Sequence, residues 1–141
     1  RKRKKTADRF LKKNILLAIS ANQKAEELKR ILEELGITVF WVLEGKKALD
    51  AFQFSRSRTF DAILLDTHLT DKDGYLIAKA IRACNKDNAS WIPLIALFSE
   101  ENHEDIRKSK DAGMDGWLCQ PYEKEKVKNL LLRLIKNDIR G

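Results

Sequence analysis

The sequence lacks the features that mark a membrane span, a secreted precursor or a disulfide-stabilised fold. Its two cysteines among 141 residues, Cys84 and Cys119, lie far apart and without the spacing of a metal site. We therefore expect a pair of reduced thiols. No apolar run reaches the roughly 20 residues that a spanning helix needs, and no signal-peptide pattern is present. These absences predict a cytoplasmic domain without membrane insertion.

The excess of positive charge is confined to the start of the chain. Residues 1–13 hold eight Lys or Arg and one acidic residue, which accounts for the whole net charge of +7. We interpret residues 1–12 as a basic linker or arm from an upstream domain, because aromatic residues do not interleave the charges at 1–5. No specific contact with nucleic acid is expected. The length suits one domain, assigned to residues 13–138, with a tail at 139–141.

Strand and helix patterns alternate along that domain. Short apolar or β-branched runs predict strands, and apolar residues spaced by three and four predict helices. The predicted strands cover residues 14–19, 37–42, 62–66, 92–97 and 116–119. The predicted helices cover about 23–35, 48–52, 74–84, 101–111 and 127–135, and Asn22 is the predicted N-cap of the first. Five strands that alternate with five helices predict an α/β fold with a doubly wound parallel sheet.

Asp66 is the residue around which this pattern is arranged. Four apolar residues at 62–65 lead directly to it, and a polar loop then runs to Asp73-Gly74, where a helix begins. A continuous apolar run is typical of a strand covered on both faces of a parallel sheet. Asp66 would lie at its carboxyl end, the edge at which open α/β sheets place their chemistry.

These residues resemble the receiver domain of bacterial two-component response regulators. The resemblance rests on Asp66, Asp73-Gly74, residues 92–97 and residues 112–116, and it is strongest to receivers attached to hybrid sensor kinases. It implies a flavodoxin-like (βα)5 fold with strand order 2-1-3-4-5. It also implies that Asp66 accepts a phosphoryl group from a phosphohistidine. The implied partners are a histidine kinase or histidine phosphotransfer domain and other domains of the same chain, and a homodimer fits the family.

The family's phosphorylation chemistry requires residues that this sequence lacks. The resemblance implies a Mg²⁺ held by an acidic pair after the first strand, but Ser20 and Ala21 stand there. It implies a lysine before the proline that follows the fifth strand, and that position is Gln120. We therefore expect no cofactor, or Mg²⁺ bound at most weakly, with Asp66 as a candidate ligand and Asp71 or Asp73 available to assist from the loop.

The residues that the family uses as a switch also depart from its pattern. The hydroxyl position at the end of the fourth strand falls on Phe98, with Ser99 next to it, and the aromatic position of the fifth strand is Trp117. We expect Phe98 to fill the space that the aromatic ring would enter. Trp117 should then stay packed between the fourth and fifth helices.

Three functions are compatible with these residues. The first is a receiver module, not an enzyme, in which Asp66 is phosphorylated poorly. The second is a pseudo-receiver that docks partners without phosphorylation. A remote third is an aspartate-nucleophile phosphatase, because residues 66–70 faintly resemble the DxDxT motif of that class; the missing second acid and the lack of room for a cap domain argue against it.

Overall fold

A five-stranded parallel sheet forms the centre of the protein in the computed structural model, which describes residues 9–69 and 71–135. The strands are β1 (Asn14–Ala18), β2 (Thr38–Val42), β3 (Ala62–Asp66), β4 (Leu94–Phe98) and β5 (Gly116–Cys119). The helices are α1 (Gln23–Glu34), α2 (Gly45–Phe54), α3 (Gly74–Ala83), α4 (His103–Asp111) and α5 (Lys124–Leu134). The strand order β2-β1-β3-β4-β5 confirms the predicted flavodoxin-like topology.

Alternate side chains of the inner strands enter two separate cores. Leu17 and Leu64 belong to the cluster that includes the apolar sides of α1 and α5. Leu16 and Leu65 belong to the cluster on the opposite face, with residues of α2 and α3. Because both faces of β1, β3 and β4 are covered, these strands are almost entirely apolar, as the sequence pattern indicated.

Capping side chains decide where two of the helices begin. Asn22 accepts a hydrogen bond from the Ala25 N–H at 2.8 Å, as predicted, and α1 ends just before Gly36, whose φ is 98°. The fourth helix was predicted from residue 101. It begins two residues later because Asn102 accepts from the Asp105 N–H at 2.8 Å and closes the first turn.

The packed domain reaches upstream of residue 13. Phe10, which the sequence analysis assigned to the basic arm, is only 2% exposed and belongs to the α1/α5 core. Its burial removes a large apolar side chain from water. The basic residues on either side of Phe10 obscured this role in the sequence. The arm at residues 1–8 and the chain end at 136–141 lie outside the described residues, so those parts of the domain boundaries remain predictions.

The parallel arrangement brings the loops after every strand to one edge. Asp66, at the end of β3, lies opposite Leu97 of β4, and Phe98 lies opposite Cys119 of β5. The segments that follow β1, β3, β4 and β5 therefore surround Asp66. No helix in the described ranges is long and apolar enough to cross a membrane.

Candidate functional site

The Asp66 carboxylate is partly buried at this edge of the sheet. Its Oδ1 accepts a hydrogen bond from the His68 backbone N–H at 2.9 Å. Burial raises the pKa of Asp66 above its ordinary value, although the His68 N–H and the nearby imidazole act in the opposite direction. Within the described chain no lysine or arginine contributes to this pKa. The site holds an acid that is partly removed from water and lacks a strong cationic partner.

The start of α3 lies against the backbone that carries Asp66. A Cβ placed on Gly74 would lie 2.6 Å from the Asp66 carbonyl oxygen and 2.5 Å from the Thr67 Cα. The Gly74 N–H also donates to the Thr67 carbonyl at 3.1 Å. Only glycine permits this approach, which explains physically why Asp73-Gly74 follows Asp66 at this spacing.

The loop after β1 contains no carboxylate. Ile19 is 1% exposed, and its carbonyl accepts a hydrogen bond from the Trp41 indole Nε1 at 2.8 Å. Ser20 is partly exposed and Ala21 is exposed, whereas the Asn22 side chain caps α1. Every position between β1 and α1 is therefore neutral, so the absence of an acidic pair does not depend on the register assigned to this loop.

Phe98 and Trp117 pack against the same core. Phe98 is 2% exposed, and Trp117 is a partly buried neighbour of the cluster to which Phe98 belongs. Ser99 is exposed beyond the end of β4. A buried phenyl ring thus occupies the end of the strand where the resemblance implies a hydroxyl, and it offers no hydrogen bond to a phosphoryl group.

Gln120 lies in a neutral polar pair. Its backbone N–H donates to the Phe98 carbonyl at 3.0 Å, and the Gln120–Pro121 peptide bond is cis. The Gln120 side-chain amide approaches the hydroxyl of Tyr122, a residue that no sequence motif indicated. Burial raises the pKa of Tyr122 to about 12; the nearby Gln120 amide acts in the opposite direction, and the Asp66 charge adds to the rise. An amide and a phenol therefore occupy the region where the resemblance implies a cation.

Asp71 caps a helix from a distant loop, which sequence spacing did not reveal. Its Oδ1 accepts from the Gly45 N–H at 2.8 Å and its Oδ2 from the Lys46 N–H at 3.1 Å. Burial alone would raise the pKa of Asp71, but these backbone bonds outweigh it and hold the pKa below the ordinary value. Glu44, the local N-cap residue of α2, makes no side-chain cap. Asp71 therefore joins the loop after Asp66 to the start of α2.

A magnesium site needs more oxygen donors than Asp66 alone supplies. A hard dication takes six or more oxygen ligands and gains affinity from several carboxylates. Asp66 supplies one carboxylate, whereas Asp71 caps α2 and Asp73 accepts from the Tyr75 N–H at 2.8 Å. Throughout residues 9–69 and 71–135, no three His, Cys, Asp or Glu side chains come together in a group that could hold a metal.

Known sequences and solved structures are similar to this chain over most of its length. The chain is 32% identical over 111 residues to hybrid signal transduction histidine kinase L of Dictyostelium discoideum, covering 78% of this chain and 6% of that protein. It is 30% identical to the receiver domain of sensor histidine kinase PA1611 from Pseudomonas aeruginosa, a structure solved with magnesium in its active-site cleft. That match covers 87% of this chain and 97% of the other, with a TM-score of 0.77.

A third comparison supports the fold alone. The chemotaxis protein CheY4 of Vibrio cholerae has a TM-score of 0.76 at 24% identity, over 86% of this chain and 98% of that one. The family model of the response regulator receiver domain matches residues 15–132. That interval contains β2 to β5, all of β1 except Asn14, and Asp66 at the end of β3. The chain therefore belongs to the receiver domain family of two-component signalling, and its relatives include the receivers of hybrid histidine kinases.

Proposed function

We propose that this receiver acts mainly as a protein-contact module, with Asp66 as a poor phosphoacceptor. One observation supports the proposal: Asp66 ends β3, but the loop after β1 carries no charge and the neutral Gln120 precedes the proline after β5. A histidine kinase or a histidine phosphotransfer domain is the partner that fits this site. By itself the domain is not an enzyme.

The missing charges weaken the reaction for an electrostatic reason. Phosphoryl transfer to a carboxylate brings two negatively charged groups together, and catalysis consists largely of positioning and of cations that offset the charge. Gln120 and Tyr122 can donate hydrogen bonds but carry no positive charge. Loss of one preorganised electrostatic partner typically costs about 3 to 4 kcal/mol of barrier, and several losses together do not add simply. Any Mg²⁺ would bind weakly here.

The surrounding protein is also part of this proposal. The chain spans 6%, 15% and 11% of the length of three curated relatives, each of them a histidine kinase. We infer that the parent protein is a hybrid histidine kinase or a related multidomain regulator. The domain would then work in the cytoplasm, receiving signals from other domains of the same chain.

Intact-protein mass spectrometry after incubation with acetyl phosphate tests the proposal. We expect little or no phosphoryl adduct on the natural sequence, with or without Mg²⁺. A matched variant, Ser20→Asp with Gln120→Lys, should gain a Mg²⁺-dependent adduct that disappears when Asp66→Asn is added. A stoichiometric, Mg²⁺-dependent adduct on the natural sequence, lost in Asp66→Asn, would overturn the proposal and show a fully working receiver.

The second candidate, docking without any phosphorylation, is favoured by Phe98. A 2% exposed phenyl ring at the end of β4 cannot report the presence of a phosphoryl group through a hydroxyl. Equal partner binding by the natural sequence and by Asp66→Asn, after phosphodonor treatment of each, would favour this candidate. A selective change in binding of the natural sequence would exclude it.

A further inference from the structure

A hydrogen bond between two helices closes the space beside the Asp66 loop. The hydroxyl of Tyr75, in the first turn of α3, donates to the Asp105 carboxylate Oδ1 at 2.8 Å, and it lies 3.3 Å from the Asp105 main-chain oxygen. Asp105 lies in the first turn of α4. The bond therefore joins the N-terminal ends of two helices that flank the candidate site.

Both oxygens of the Asp105 carboxylate accept hydrogen bonds. The Asp105 Oδ2 accepts from the Asn102 side-chain amide at 2.8 Å. The backbone N–H of Asp105 donates to the Asn102 Oδ1 at 2.8 Å. The bond from Tyr75 is the largest cause that holds the pKa of Asp105 below its ordinary value. The same carboxylate thus completes the cap of α4 and anchors that helix to α3.

The rest of α4 is weakly held. Ser109 is its only buried residue, and Ile106, its one large apolar side chain, is partly exposed. Open clefts of about 240 and 310 Å³ lie next to the bond, and both are lined by Asp73, Tyr75 and Lys108. With so little apolar burial to fix it, the position of the first turn depends strongly on a polar contact.

Tyr75 also lies beside the residue that follows Asp66. Thr67 is 2% exposed, and its hydroxyl approaches the Tyr75 phenol without forming a well-aligned hydrogen bond. A buried hydroxyl without a good partner is a costly feature that a small shift of the loop would relieve. The phenol is therefore in contact with both the β3 loop and α4.

We propose that the Tyr75–Asp105 hydrogen bond is a latch that fixes the first turn of α4 against α3. The latch, and not the residues at positions 98 and 117, then controls the position of α4. Breaking this single bond frees α4 while the sheet remains intact. A partner that engages Asp105 or displaces Tyr75 would release the helix. The inference does not depend on phosphorylation of Asp66, because both partners of the bond belong to helices α3 and α4.

Hydrogen–deuterium exchange of the whole chain tests the latch. In Tyr75→Phe, which keeps the ring and removes the hydroxyl, amide exchange in peptides covering 103–111 should rise about three- to tenfold. Exchange in the peptides of α1 should change little. Tyr122→Phe is the matched control, because it removes a buried hydroxyl elsewhere and should leave α4 unchanged. An unaltered rate over 103–111, or an equal rise in α1, would overturn the proposal.

A second variant keeps the test decisive if Tyr75→Phe folds poorly. Asp105→Ala changes a partly exposed side chain and removes the acceptor of the same bond. It should loosen α4 at least as much as Tyr75→Phe, since it also removes a capping contact. In the double variant, exchange over 103–111 should rise by less than the product of the two single-variant increases, because both substitutions remove the same bond. Fully independent effects would show that Tyr75 and Asp105 do not operate as a latch.

Discussion

At the scale of single residues, the Asp66 carboxylate has an electrostatic cost that can be measured. Burial raises its pKa in the folded state, so the ionised form is disfavoured on folding. The contribution of Asp66 to the free energy of unfolding is fully present below the pKa that this group has in the unfolded chain. It is lost as the pH rises through the pKa that Asp66 has in the folded protein. At neutral pH the charged carboxylate therefore reduces the free energy of unfolding.

Asp66→Asn should accordingly raise the melting temperature at pH 7, by a few degrees at most. The asparagine Oδ1 can still accept from the His68 N–H, so the one observed hydrogen bond is kept. The gain should shrink as the pH falls through the folded pKa of Asp66 and should be absent below the pKa of the unfolded chain, where Asp66 is neutral in both states. Thermal melts of both proteins across acidic and neutral pH provide the check, with Asp50→Asn, which changes a partly exposed carboxylate in a surface pair with Lys46, as control. A drop of several degrees at pH 7 would mean that Asp66 has a stabilising partner.

The neutral loop after β1 leads to a prediction about metal binding. Ser20→Asp combined with Ala21→Asp should create measurable Mg²⁺ affinity, because two carboxylates would join Asp66 at the same edge. The indole of Trp41, bonded to the Ile19 carbonyl, is a fluorescent group next to that loop. Tryptophan fluorescence and melting temperature should respond to Mg²⁺. The uncharged variant Ser20→Asn with Ala21→Asn should not respond, and indifference of the Asp variant would disprove the assigned register of this loop.

At the scale of elements, two glycines begin helices but differ in what surrounds them. Gly74 begins α3 against backbone atoms of Asp66 and Thr67, whereas a Cβ on Gly45, which begins α2, would meet Ile77 and Leu69 side-chain atoms. A flexible side chain can move by a few tenths of an ångström, but the end of a central strand cannot do so without disturbing the sheet.

Gly74→Ala should therefore destabilise the protein by about 2 to 3 kcal/mol, within the range observed for forced overpacking. Gly45→Ala should cost less than about 1 kcal/mol, because side-chain repacking and the better helix propensity of alanine offset the crowding. Urea denaturation monitored by circular dichroism compares the two variants directly. Equal losses would show that the backbone contact of Gly74 has no special importance.

The elements themselves could be predicted because their signals are local. β5 was predicted over the residues that form it, and Asn22 was identified as the cap of α1. The contacts that shape the site were not predictable in this way. Asp71 caps a helix 25 residues earlier in the chain, and Tyr75 bonds a residue 30 positions later. Such pairs are set by the packing of elements, and a single sequence carries no periodic signal for them.

At the scale of the whole molecule, the apolar scaffold and the polar groups around Asp66 are separate parts of the sequence. The apolar residues of β1, β3 and β4 build the two cores regardless of which side chains follow the strands. This separation explains why the fold and the position of Asp66 could be predicted from apolar runs. The neutral pairing of Gln120 with Tyr122 required the structure, because it depends on a side-chain contact across a proline.

One side chain links several parts of the molecule on the α3 side of the sheet. Arg82 donates from Nε to the Gly113 carbonyl at 2.9 Å and from Nη1 to the Ala89 and Ile92 carbonyls at 3.0 and 2.8 Å. Its Nη2 donates to the Asp115 carboxylate at 2.9 Å, in an ion pair where the arginine side chain is 16% exposed. The end of α3, the loop before β4 and the turn before β5 therefore share one donor group.

Arg82→Lys should lower the free energy of unfolding by about 3 kcal/mol, because one ammonium cannot replace the planar set of donors and several carbonyls would lose their partner. Arg30→Lys is the matched control, since Arg30 makes an exposed i,i+4 pair with Glu34 at 3.3 Å and should change stability by less than about 0.5 kcal/mol. Urea denaturation with an unchanged m-value would assign the loss to the folded state. A loss in Arg82→Lys no larger than that in Arg30→Lys would mean that the strands and loops hold this side of the molecule together without the arginine.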